Sequence, residues 1–175
     1  MSVFFKFFKL LFLSFIFFIV QLSIAGSLDG FFSGINFVLF YLVYVFIFYD
    51  IETSLIVGIF SGFFLDFFSF YFFGVYSLSI VVTIFIANFF LLNFFTNKSI
   101  YSFLALGLFF CFFYYLISGF LIYINYWGQD GYVWLNSVFL LNFLKEVGFI
   151  SLAILFSFYF LGIDGEKSRK IVWSK

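Results

Sequence analysis

The apolar run GIFSGFFLDFFSFYFFG, residues 58–74, carries a single charge, Asp66. A carboxylate at the centre of a bilayer costs roughly 2.5–3.5 kcal/mol on insertion scales, so it is expected to face protein or water rather than lipid. Ser54, Gly58, Ser61, Gly62, Leu65, Asp66 and Ser69 recur at three- and four-residue spacing. That spacing puts them on one face of a helix. Gly58 and Gly62 make a G-x-x-x-G pair, which lets a second backbone come close. Two readings of Asp66 stand side by side: it caps the helix end or reaches headgroup water, or it faces a protein partner.

A second charged locus is Lys145 next to Glu146, inside another apolar region. If that span starts near Val138, Lys145 lies about 10 Å below the membrane surface, at 1.5 Å per residue. Asp66 lies at a similar depth, and an Asp66–Lys145 pair would neutralise both charges in low dielectric. The other reading starts the span at Val147 and leaves Lys145 and Glu146 in the interface. Asp50 and Glu52 read as a solvated loop or as a dock for a basic partner. Asn36, Asn88, Asn93 and Asn142 are expected to join helices by hydrogen bonds.

What is missing narrows the chemistry further. The chain has no His, so a zinc–His site, a His general base and a Ser-His-Asp triad are all excluded. It has no phosphate-binding G-x-x-x-x-G-K-[ST] loop. One Cys, Cys111, forms no internal disulfide and reads as packing. The sequence therefore predicts no enzyme activity, no cofactor and no metal.

The elements that must position these groups are membrane spans. The chain is 66% hydrophobic and 9% charged, with mean hydropathy +1.26. Soluble domains are about 45–50% apolar and about 25% charged. The 39 Phe serve as bulk apolar filler, and the zero formal charge speaks against a nucleic-acid partner. An all-α integral membrane protein is predicted, one membrane domain over residues 1–175. Its six spans are expected at about 4–24, 31–49, 53–72, 73–95, 101–124 and 138–162, each near the roughly 17–25 apolar residues a span needs. Gly74 marks the turn between the third and fourth.

Lys6, Lys9, Lys98, Lys167, Arg169, Lys170 and Lys175 all fall on one side of a six-span chain. The positive-inside rule then puts both termini in the cytoplasm. Tyr123, Tyr126, Trp127, Tyr132 and Trp134 are expected at the outer interface, where amphipathic rings settle. The tail EKSRKIVWSK reads as a topology anchor that also attracts anionic lipid. The first span has a second reading as a secretory signal, with small residues Ser23 and Ala25 at a cleavage site. Cleavage would leave five spans and break the charge pattern.

The segment GIFSGFFLDFFSFYFFGVYSLSI resembles the signature region of the MreD family of rod shape-determining membrane proteins. In that family a Gly-rich helix ends in an apolar-apolar-Asp-apolar-apolar-Ser run, followed by a short turn, a Gly and another apolar helix. The matching residues are Gly58, Gly62, Asp66, Ser69 and Gly74; the usual Pro near the turn is replaced by Phe72 and Phe73. Chain length, span number and inside termini agree. The resemblance implies a fold similar to the substrate-binding subunits of energy-coupling-factor vitamin transporters. It also implies a non-enzymatic scaffold in the bacterial cytoplasmic membrane. The implied partners are an MreC-like protein and, through it, the actin-like MreB, the RodA glycosyltransferase and a class B penicillin-binding protein. The same fold resemblance allows a second function, a subunit that binds a small vitamin-like solute. That role needs a cavity with convergent polar side chains. The chain offers few intramembrane polar residues and no A-x-x-x-A surface for an energising partner. The glycine stripe is expected to pack against a transmembrane helix, either of this chain or of a partner.

Overall fold

The computed structural model describes residues 2–27, 35–69, 71–94, 100–125 and 137–161. They form six helices: α1 (Ser2–Ser27), α2 (Phe37–Phe48), α3 (Ile51–Phe68), α4 (Val75–Asn93), α5 (Ile100–Asn125) and α6 (Ser137–Leu161). No strand occurs among the described residues. Four helices are long and apolar enough to cross a membrane: 51–68, 75–93, 101–125 and 139–156. The chain is thus an all-α, multi-pass membrane protein, as its composition predicts. The aromatic cluster at 126, 127, 132 and 134, the loop around Asp29, Lys98 and the basic tail lie outside the described residues.

The helix ends follow local chemistry. α2 opens at Asn36, whose side-chain oxygen accepts from the Leu39 N–H at 3.0 Å. It stops at Tyr49, where the backbone turns extended, and α3 restarts two residues later with Glu52 in its first turn. An acid there suits the positive end of the helix dipole. α3 ends at Phe68, short of the expected 72, because Ser69 is extended and the chain then turns through Gly74 at φ +104°. Glycine takes this left-handed conformation without Cβ strain.

α2 is the centre of the bundle. Val38, Leu39, Tyr41, Leu42, Val43, Val45, Phe46 and Ile47 are all buried on it, and it touches α1, α3, α5 and α6. The expected second span, 31–49, contracts here to 12 helical residues. At 1.5 Å per residue α2 is about 18 Å long, well below a hydrocarbon core of about 30 Å. α3 packs most extensively on α4, α4 on α5 and α5 on α6. The outer surface is apolar and rich in exposed Phe, such as Phe12, Phe67, Phe85 and Phe112, as a lipid-facing surface should be.

Candidate functional site

The α3 stripe is buried as its spacing predicts: Ser54, Gly58, Ser61, Gly62 and Asp66 all lie inside, joined by Thr53 and Val57. Its neighbours are internal. A Cβ placed on Gly62 would stand 2.5 Å from the Ser77 Cα on α4, and one on Gly58 would stand 2.7 Å from the tip of Ile84 and 2.9 Å from that of Ile80. The G-x-x-x-G pair therefore brings α4 onto α3. On the flank toward α1, Ser61 donates to the Val57 carbonyl at 2.7 Å, which leaves the Ser14 hydroxyl to donate to Ser61 at 2.6 Å. The Tyr41 hydroxyl donates to the Leu10 carbonyl at 2.8 Å, tying α2 to α1.

Asp66 is 3% exposed. Its Oδ1 accepts from the Tyr76 N–H at 2.7 Å and its Oδ2 from the Ser77 N–H at 3.0 Å. Both donors belong to the first turn of α4, where backbone N–H groups have no helical acceptor. The carboxylate thus caps the next helix rather than its own. Two charge-assisted hydrogen bonds and the positive end of the α4 dipole hold it. Ser69 donates to the Asp66 carbonyl at 3.0 Å and closes α3. Gly74 sets the turn between Asp66 and its donors. Gly58, Gly62, Asp66, Ser69 and Gly74 are thereby one device, a tight helical hairpin.

Lys145 and Glu146 part company. α6 runs unbroken through both from Ser137, and its apolar stretch 139–156, long enough to cross a membrane, includes them. Lys145 is only partly covered, while Glu146 has no exposed surface. Glu146 Oε2 accepts from the Asn36 N–H at the start of α2. The Asn36 side chain donates to the Tyr114 hydroxyl on α5 at 3.3 Å. The Phe37 N–H donates to Gln21 Oε1 on α1 at 2.7 Å. The N-terminus of α2 thus gathers side chains from α1, α5 and α6. The sequence reading weighed Glu146 only as the neighbour of Lys145, yet it is the buried acid of α6. No sequence signal marks this role: it arises because the first N–H groups of the buried α2 need acceptors, and where α2 starts is set by local hydrogen bonding.

Asn36 joins helices as expected, whereas the Asn93 side chain bonds back to Phe89 of its own helix at 2.8 Å. Cys111 is fully buried in the apolar core. Gly107, outside the expected stripe, supports a second close approach: a Cβ there would meet Ile154 of α6 at 2.8 Å. A groove between α2 and α6, lined by Phe40, Val43, Tyr44, Ile150 and Ile154 among others, holds about 20 Å³. That is room for about one water, against roughly 300–1,000 Å³ for a small-molecule site. Among the described residues no cluster of three or more metal-ligating side chains occurs.

In comparison with known proteins, no family model, curated protein or solved structure matches this chain.

Proposed function

We propose that this chain is a non-enzymatic membrane scaffold of the bacterial cell-elongation complex, resident in the cytoplasmic membrane with both termini inside. The observation that supports this reading is the behaviour of the residues that resemble the MreD signature. Gly62 and Asp66 meet the first turn of α4, Gly58 lets α3 pack on Ile80 and Ile84 further along it, and Gly74 makes the turn between the two helices. A motif that builds a rigid helical hairpin suits a protein whose work is to present helices to other helices. Since the stripe is used internally, an MreC-like partner is met through other, lipid-facing positions.

The competing reading, a solute-binding transporter subunit, draws some support from the polar groups gathered at the start of α2. The small apolar groove further along α2, which none of those polar groups lines, counts against it. Affinity purification of the tagged full chain from its native membrane separates the two. Recovery of an MreC-like protein with RodA and a class B penicillin-binding protein is the expected outcome. Recovery of transporter ATPase subunits instead would overturn the scaffold reading.

A further inference from the structure

Two carboxylates sit on two helix N-termini in this bundle, and they are not equally served. Asp66 places one N–H on each oxygen. Glu146 has the Asn36 N–H on Oε2, while Oε1 is fully buried with no hydrogen-bond partner. The Glu146 side chain is 0% exposed. It lies nine residues into α6, about 14 Å along the helix from Ser137.

Among the described residues, the groups around it add no balancing charge. From α5, Cys111, Tyr114 and Tyr115 stand within electrostatic reach of Glu146. Tyr76 of α4 reaches both tyrosines and Asp66 of α3 reaches Tyr114. From α2 comes Asn36, and from α1 Gln21, bonded to the adjoining Phe37 N–H. All of these are neutral or acidic. Lys145, the sequence neighbour, points about 100° away around the helix and is partly exposed. An ionised Glu146 would be a buried anion with one donor for two oxygens. The neutral acid costs less there: its carbonyl oxygen accepts from the Asn36 N–H, and a buried hydroxyl without an acceptor is a smaller penalty than a buried, half-served charge.

We propose that Glu146 is a proton-binding site within the membrane, with the proton on Oε1 and Oε2 free to accept from the Asn36 N–H. The site is independent of the scaffold reading and stands if that reading fails. Its consequence follows from linkage. The folded chain keeps a proton that the unfolded chain has already released, so stability falls as pH rises from the ordinary glutamate range up to the point where the buried acid itself ionises, and levels off above it.

Infrared spectroscopy of the purified full chain in lipid tests this directly. Near neutral pH the wild type should show the C=O stretch of a protonated carboxyl group, and ¹³C-Glu labelling should shift it. The chain has three Glu, at 52, 146 and 166. The band should be lost in Glu146→Gln and kept in the Glu52→Gln/Glu166→Gln double variant. Asp66→Asn should keep it too. A labelled wild type showing only ionised carboxylate bands near neutral pH overturns the proposal, and that result needs no variant to fold. In thermal unfolding the wild type should lose melting temperature toward alkaline pH while Glu146→Gln, the neutral isostere, does not share that loss. Parallel curves for the two chains would overturn the link between the proton and the fold.

Discussion

Asp66 is a cap whose two acceptor atoms serve two different N–H groups, so its substitutions should grade by how many acceptors they leave. Asp66→Leu strands the Tyr76 and Ser77 N–H groups in a buried place, at about 1–3 kcal/mol each. Asp66→Asn keeps one acceptor and should lie between Leu and wild type. Melting of the detergent-solubilised chain, followed by the soluble monodisperse fraction after heating, reads this order. Equal melting of Asp66→Leu and wild type would show that α4 does not depend on the cap. Gly74 acts through backbone alone, since no atom lies within 4 Å of where its Cβ would stand. Gly74→Ala should cost about 1 kcal/mol, the left-handed penalty, and Gly74→Asn less. A melting curve for Gly74→Ala that matches wild type would show that the turn relaxes without it.

Much of this scale was legible in the sequence because a lone acid in an apolar helix has few places to go. Asp66 announces itself by isolation, and facing protein was one of the two readings its chemistry allows; that it would cap the following helix rather than its own was not legible. Glu146 was not legible in the same way. It sits beside Lys145, and an adjacent pair of opposite charges reads as interfacial until the helix is seen to turn the two side chains apart. Its partner, the Asn36 N–H, is a backbone group 110 positions away, and no side-chain pattern advertises a backbone donor.

At the scale of elements, the six helices were visible in hydropathy, but α2 was not visible as a short one. Phe31, Phe32 and Ile35 precede it, so hydropathy extends the apolar run back to 31 and does not show that the helix spans only 37–48. What shortens it is capping at Asn36 and the two-residue joint to α3, both matters of local hydrogen bonding. The glycine contacts give a ranked prediction. Gly62 faces backbone at 2.5 Å, Gly58 and Gly107 face the ends of isoleucine side chains at 2.7 and 2.8 Å, and Gly148 faces open space. A side-chain tip can rotate away, whereas a backbone moves only with its helix. Gly62→Leu should therefore wedge α3 from α4 and exceed the about 1–3 kcal/mol usual for overpacking, leaving the protein degraded. Gly58→Leu and Gly107→Leu should fall within that range, and Gly148→Leu should leave the protein abundant. Steady-state membrane levels measure the series. Abundant Gly62→Leu protein would show that the α3–α4 contact is dispensable.

For the whole molecule, the bilayer changes which forces count. Lipid is as apolar as Phe, so enclosing more oily area drives little association there; close packing and a few hydrogen bonds must do so. The bundle accordingly concentrates its small residues and its polar bonds on the inside and leaves large Phe side chains outward. Hydrogen bonds at one end join α1 through Gln21, α2 through Asn36 and Phe37, α5 through Tyr114 and α6 through Glu146. Asp66 and Tyr76 join α3 to α4 near the α3 C-terminus. The proposed six-span topology would put residues 126–136 and the tail after 161 on opposite faces of the membrane, with the basic tail in the cytoplasm as the positive-inside rule expects. Cysteine labelling checks this on intact cells. Cys111 is replaced by Ser, a change of similar size whose hydroxyl can bond back along α5. Gln129→Cys should then react with an impermeant thiol reagent, and Ser168→Cys should react only after the membrane is opened. Labelling of Ser168→Cys from outside would overturn the proposed placement of both termini inside. Labelling of neither position before permeabilisation would place 126–136 out of reach and remove the support for an even number of crossings.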